Sequence, residues 1–121
     1  LCAEIDLDML AANDFRRSLP RFAPEHHTAN LKLLAPFQAI VQDLGCTPAQ
    51  LAIAWLLHRG DHILPIPGTR SVEHLMDNLG AASVRLSPDV MQQLDDLINQ
   101  KTVAGNRYTE QANREVDTEN F

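Results

Sequence analysis

Cysteine is scarce in this sequence of 121 residues. Cys2 and Cys46 are the only two, and neither belongs to a Cys-x-x-Cys motif or to a cysteine and histidine spacing typical of zinc sites. The pattern argues against a disulfide or zinc framework and suits a reducing compartment, so we expect a cytoplasmic protein.

Basic clusters and long apolar runs are also lacking. Ten basic against sixteen acidic side chains give a net charge of −6, which argues against a nucleic-acid partner. The longest apolar run, residues 51–57, is far below the roughly 20 residues that span a bilayer, so we expect no contact with a membrane. The hydrophobic fraction of 45% nevertheless suffices for a core. Because the sequence begins with Leu1 and shows no targeting signal, we expect an interrupted chain.

The first half of the chain predicts a loop followed by a helix. Residues 6–25 lack a sustained apolar period and are expected to form a long surface loop. Apolar residues then recur at helical spacing from Ala29 until Gly45, which is expected to end the helix. Pro36 either kinks this helix or marks a start near Ala35, and a kink is the favoured interpretation.

The second half begins with a predicted helix start at residues 47–50, Thr-Pro-Ala-Gln. Thr47 can cap the helix and Gln50 can complete a capping box. The helix that follows is apolar on nearly every face, so we expect it to be widely buried and Trp55 to be largely buried.

One short strand and two further helices complete the prediction. Residues 62–66 are expected to be extended because prolines flank them, and this single strand needs partner strands that the sequence does not supply. Amphipathic helices are predicted after Ser71 and Ser87. From residue 113 onwards we expect a mobile tail.

The segment richest in chemistry is residues 65–78. The predicted strand ends at a Pro-Gly turn, which lets the backbone approach a ligand, and a helix N-terminus, which attracts phosphate, follows directly. The side chains that suit a phosphate or a base are Thr69, Arg70, Ser71, His74 and Asn78. A second interpretation stays open, in which Ser71 is only a helix cap and Arg70 only a solvated charge.

Residues 65–81 resemble the NADP-binding signature near the end of aldo-keto reductases. The rest of the chain is similar to the same family in the same order. Residues 1–5 resemble the segment after the seventh barrel strand, residues 13–22 the following loop, residues 47–57 the seventh helix, and residues 86–88 the start of the extra C-terminal helix.

The resemblance implies an α/β fold, in which this chain is the C-terminal third of a (β/α)8 TIM barrel, mostly helical with one short strand. Residues 1–121 would form the C-terminal part of a single aldo-keto reductase domain. Residues 1–25 would be its loop, residues 26–104 its helices and last barrel strand, and residues 105–121 its tail.

The resemblance also assigns cofactor-binding roles by position. The residues concerned are Ile66, Gly68, Thr69, Arg70, His74, Asp77 and Asn78. Gly68, Thr69 and Arg70 would meet the 2′-phosphate of NADPH or NADP, while Asp77 and Asn78 match an acidic residue and asparagine pair that binds adenine. His74 stands where many relatives have arginine, which leaves Arg70 as the chief electrostatic anchor.

The function implied is reduction of aldehydes or ketones to alcohols, with a nicotinamide dinucleotide and a small carbonyl substrate as partners. The family's catalytic Asp, Tyr, Lys and His would precede Leu1, so we assign no catalytic residue and expect this fragment alone to be inactive. Tyr108 is expected to be a surface residue. No metal site is expected, because the spacings of the histidines at residues 26–27, 58 and 62 lack supporting ligands.

A rival hypothesis is a non-catalytic remnant or a self-associating interaction module. Apolar helices without their sheet leave exposed surface, and such surface favours association.

Overall fold

A computed structural model describes residues 5–115 of the chain. Its α-helices in this range are α1 (Pro24–Leu31), α2 (Leu34–Leu44), α3 (Pro48–Leu57), α4 (Val72–Gly80), α5 (Pro88–Leu97) and α6 (Glu110–Asn113). The chain divides into two compact units, of which one contains residues 5–35 and 97–115 and the other Pro36–Asp96. Residues 1–4 of the family resemblance and residues 116–121 of the predicted tail lie outside the described residues.

The predicted loop contains three short 3-10 turns, Leu7–Met9, Phe15–Ser18 and Pro20–Phe22. Arg17 holds its first part in place, because its guanidinium donates to the carbonyl oxygens of Leu7, Leu10 and Ala11 at 2.9, 2.6 and 3.0 Å. The guanidinium of Arg17 therefore fixes the backbone of this part of the loop, in which Leu10 is also buried.

Asp14 and Arg16 form a local ion pair within this loop. Arg16 donates from Nε to Oδ1 at 2.9 Å and from Nη2 to Oδ2 at 2.7 Å. These side-chain bonds, followed by the backbone N–H of Arg16, lower the pKa of Asp14 from its usual 3.8 to about 2.

The continuous kinked helix expected around Pro36 is wrong. Two separate helices are present, and α2 begins at Leu34, so that Pro36 lies in its first turn, where a missing backbone donor breaks no helical bond. The predicted end of the helix is confirmed: Gly45 has φ of 63°, and the N–H of Cys46 donates to the carbonyl of Val41 at 3.2 Å.

The capping box at the start of α3 is confirmed. Thr47 Oγ1 accepts the backbone N–H of Gln50 at 3.1 Å, and the Gln50 side chain accepts the N–H of Thr47 at 3.1 Å. One face of α3 packs against α4 and the 3-10 turn Ala81–Ser83, which leaves Leu51 and Ala54 with no exposed surface.

The wide burial expected for α3 is wrong in this structure. Trp55 is half-buried rather than largely buried, and Leu56 and Leu57 are exposed. Only one face of the helix is covered by neighbouring elements, so the apolar residues on its other faces remain accessible.

The strand predicted at residues 62–66 is also wrong. No strand occurs anywhere in residues 5–115, and Leu64 and Ile66 are 84% and 94% exposed. A strand needs a second extended segment that exchanges backbone hydrogen bonds with it, and residues 62–66 have none in the described part. The mostly helical character of the chain is confirmed.

Helices α4 and α5 begin where their serine caps predict, directly after Ser71 and directly after Ser87. Their apolar faces differ in burial. Leu94 of α5 is buried, whereas α4 buries none of its residues completely and its whole apolar stripe is exposed. That stripe consists of Val72, Leu75, Met76 and Leu79.

No single helix between residues 5 and 115 is both long and apolar enough to cross a membrane. The helical segments Pro24–Leu44 and Pro48–Leu57 pass that test only when taken together as a bent pair, by length and composition.

Candidate functional site

The turn before α4 is ordered by two hydroxyl groups. Thr69 Oγ1 accepts the backbone N–H of Ser71 at 3.1 Å, and Ser71 Oγ accepts the N–H of His74 at 3.3 Å. Ser71 is therefore a true helix cap, as its sequence position predicts. Because the hydroxyl acts as an acceptor in this cap, its proton remains available for donation to a ligand at the helix N-terminus.

Gly68 and Arg70 are both exposed at this turn. Nothing lies within 4 Å of the position that a Cβ would take on Gly68, so a ligand can approach the backbone there. Arg70 makes no ion pair with any other described residue, and its charge is available to an anion. Glu73 in the first turn of α4 carries the opposing charge closest along the sequence.

Asp77 and Asn78 lie one turn beyond His74 and are half-buried, whereas His74 itself is exposed. Thr47 Oγ1 donates to the two carboxylate oxygens of Asp77 at 3.1 and 3.0 Å. Gln50 Nε2 donates to the backbone carbonyl of Asp77 at 3.1 Å. The structure thus brings the capping box of α3 to α4, a contact that sequence analysis did not predict.

The assigned residues thus lie in the turn before α4 and along this helix, with Asp77 and Asn78 half-buried and the others exposed. Ile66 is the most exposed of them at 94%. Near Asp77, burial raises the pKa of the Cys46 thiol, and the negative charge of Asp77 raises it further. A thiol held in its protonated form is a poor nucleophile and a poor metal ligand.

Other candidate residues are engaged in structural contacts. His58 Nδ1 lies 2.8 Å from the carbonyl of Ala54, and its Nε2 lies 3.3 Å from the N–H of Leu86. Arg107 stacks over the half-buried ring of Tyr108 at 5.2 Å from its centroid. Within residues 5–115, no group of three His, Cys, Asp or Glu side chains is placed to hold a metal ion.

The unit that contains residues 5–35 has its own concavity, with a cavity volume of about 860 Å³. Phe22 and His27 stack on one another at its wall, with ring centroids 6.1 Å apart. The remaining lining residues come from the loop and from α1, namely residues 5–8, 17, 23, 24 and 31. None of the residues assigned to the cofactor contributes to it.

Comparison with known proteins covers most of the chain. Residues 8–99 match the model of the aldo/keto reductase family. The chain is also 41% identical over 101 residues to aldo-keto reductase yakc [NADP(+)] of Schizosaccharomyces pombe. This alignment includes 84% of the chain but spans only 30% of the length of the relative. The family match extends over parts of both units and includes residues 66–78. The chain therefore belongs to the aldo/keto reductase family.

Proposed function

We propose that this chain supplies the 2′-phosphate and adenine side of the NADPH site in an oxidoreductase that reduces aldehydes or ketones to alcohols. The observation that carries the proposal is the exposed Arg70, without an ion-pair partner among the described residues, between an open Gly68 and the capped N-terminus of α4. A permanent positive charge beside helix amides and hydroxyls suits a phosphate monoester.

The chemistry of the donor set fits NADPH. Arg70, Thr69 and Ser71 would bind the 2′-phosphate, while Asn78 and Asp77 would face the adenine one to two turns along α4. When bound, NADPH supplies the hydride that reduces the carbonyl carbon. The contribution of this chain is confined to binding and orienting the nucleotide, since no residue in it is assigned to proton transfer. The name of the yeast relative, which specifies NADP(+), supports the same cofactor.

This proposal also includes the (β/α)8 barrel, the single domain over residues 1–121, the small carbonyl substrate and the cytoplasmic location. The family match supports the barrel, and the scarcity of cysteine supports the location. The loop of residues 6–25 would lie on the substrate side of such a barrel, as the family resemblance implies.

A nucleotide titration tests this function. The adenosine half of the cofactor is represented by 2′,5′-ADP, which retains the 2′-phosphate, and by 5′-AMP, which lacks it. We expect calorimetry to show binding of 2′,5′-ADP and NADPH to the chain and much weaker binding of 5′-AMP, because Arg70 would lose its phosphate partner. Equal affinity for 2′,5′-ADP and 5′-AMP would contradict the proposal.

A second candidate function is self-association as a non-catalytic module. It is favoured by the exposed apolar stripe of α4 together with Leu64 and Ile66. Sedimentation velocity of the same preparation separates the two functions. A monomer that binds NADPH rules out the module, whereas an oligomer that ignores nucleotide supports it.

A further inference from the structure

Thr47 makes two hydrogen bonds with one hydroxyl group. The oxygen accepts the N–H of Gln50 in the first turn of α3, and the proton is donated to the carboxylate of Asp77 in α4. A neutral hydroxyl that donates to a carboxylate forms a charge-assisted bond, which is stronger than one between neutral groups. The residue that starts α3 is therefore also bonded to the helix that carries the nucleotide-binding residues.

Gln50 adds a second link of the same kind. Its side-chain oxygen accepts the N–H of Thr47, and its amide nitrogen donates to the backbone carbonyl of Asp77 at 3.1 Å. A Cβ on Gly80 would lie 2.5 Å from this nitrogen, so glycine allows the amide to rest directly against α4. Both polar groups of the Gln50 side chain are used.

These links matter because α4 packs against α3 without placing any of its own residues in the buried core. Helix α4 contains no fully buried residue, and its apolar stripe is exposed. The bonds to Asp77 act on the carboxylate and on the backbone carbonyl, so they restrain both the rotation of α4 about its axis and its position along that axis.

We propose that Thr47 and Gln50 are positioning residues that set the orientation of α4 toward the nucleotide through Asp77. The proposal rests on the proposed function, because it concerns the helix that would bind the 2′-phosphate and the adenine. Neither residue is among those assigned to the nucleotide. Their effect on affinity is indirect and passes through Asp77.

Two substitutions at residue 47 separate helix capping from positioning. Thr47→Asp retains a strong N-cap but replaces the hydroxyl donor by a carboxylate that repels Asp77. Thr47→Asn caps equally well and keeps an amide donor for Asp77. We expect Thr47→Asp to weaken binding of 2′,5′-ADP by about tenfold and Thr47→Asn to change it by no more than about twofold.

Gly80→Ala tests the contact with Gln50 by a different route. Alanine favours a helix more than glycine does, so the substitution by itself should stabilise α4. The added methyl group nevertheless displaces the amide of Gln50 from α4. We expect weaker 2′,5′-ADP binding in a variant whose helix content is retained in circular dichroism. Unchanged affinity in Gly80→Ala would count against a positioning role for Gln50.

Amide hydrogen exchange without nucleotide provides an independent measurement. Thr47→Asp should accelerate exchange in α4 while α3 keeps its protection. Adding Asp77→Asn should restore the protection of α4, because the side chain at residue 77 then donates the hydrogen bond and the side chain at residue 47 accepts it. Equal acceleration of α3 and α4 would show that the whole unit has loosened and would overturn the proposal.

The binding experiment distinguishes failure of this proposal from failure of the proposed function. If the unsubstituted chain does not bind 2′,5′-ADP, the proposed function fails and the positioning role falls with it. If the chain binds and Arg70→Ala loses affinity, while Thr47→Asp and Thr47→Asn bind alike, the nucleotide site stands and the positioning role is overturned. A selective loss in Thr47→Asp supports both.

Discussion

The indole nitrogen of Trp55 donates a hydrogen bond to Oδ1 of Asp95 across 2.8 Å and thereby joins α3 to α5. Arg59 completes the cluster, because its guanidinium lies 4.1 Å from the centroid of the Trp55 ring and pairs with the same carboxylate oxygen. The side chains of Arg59 and Asp95 remain partly accessible to solvent, which screens their ion pair. The bond from Trp55 and the stacking of Arg59 therefore define the geometry of the cluster.

Trp55→Phe tests this cluster because it removes the N–H and keeps an aromatic ring for Arg59. We expect the free energy of unfolding to fall by about 1 kcal/mol, the usual contribution of one hydrogen bond. Trp55→Ala should cost more, yet less than the roughly 3 to 5 kcal/mol of a fully buried aromatic residue, since Trp55 is half-buried. Urea denaturation measures both variants.

The control for this series is Phe15→Ala, which truncates an aromatic residue that is 71% exposed. It should leave stability nearly unchanged. A Trp55→Phe variant as stable as the unsubstituted chain would mean that the bond to Asp95 contributes nothing in solution.

The ion pair of Asp14 and Arg16 predicts a pH dependence with a defined direction. The folded-state pKa of Asp14, about 2, lies below its usual 3.8, so the ionised form is the one that stabilises the fold. This contribution is complete above about pH 4 and disappears as the pH falls toward about 2. In an NMR titration the carboxyl carbon of Asp14 should have its midpoint near the lower value, and in Arg16→Gln the midpoint should return toward 3.8. A midpoint of Asp14 that is the same in both proteins would contradict this assignment.

The chain by itself should not reduce carbonyl compounds. Its only tyrosine, Tyr108, stacks with Arg107 and lies outside residues 66–78, and no residue of the chain is assigned the role of protonating a carbonyl oxygen. The measurement is NADPH oxidation with an aldehyde, using a complete aldo-keto reductase as positive control. Turnover that persists through a tag-free purification would show that a catalytic group has been overlooked.

Local sequence signals predicted some of the helix boundaries, but not those of α1 and α6. Ser71, Thr47 and Gly45 each have a short-range mechanism, a cap or a positive φ, and each occurs where it was predicted. The prediction of a strand at residues 62–66 was wrong because a strand depends on hydrogen bonds with a second extended segment elsewhere in the sequence. A helix start near Ala35 was the less favoured of the two interpretations, because the apolar period continues through Pro36 and spacing alone does not locate the start of α2 at Leu34.

In the candidate site, too, consecutive residues were predicted from the sequence, whereas contacts between distant residues were not. Its members from Ile66 to Asn78 follow from the family resemblance, which is carried by consecutive residues. The bonds from Thr47 and Gln50 to Asp77 connect positions 30 and 27 residues apart, and no local pattern specifies such pairs. Packing of α3 on α4 brings them together.

The most direct test of the central claim is the cofactor preference of Arg70→Ala, with Arg85→Ala as the control because Arg85 is an exposed arginine outside residues 66–78. NADPH and NADH differ only in the 2′-phosphate, and a charge-assisted bond to that group contributes roughly 1.5 to 3 kcal/mol, or about ten- to hundredfold in affinity. We predict that Arg70→Ala loses this factor for NADPH and changes NADH binding much less, while Arg85→Ala binds both as the unsubstituted chain does. An equal loss for both cofactors, or no loss for either, would contradict the assignment of the 2′-phosphate to Arg70.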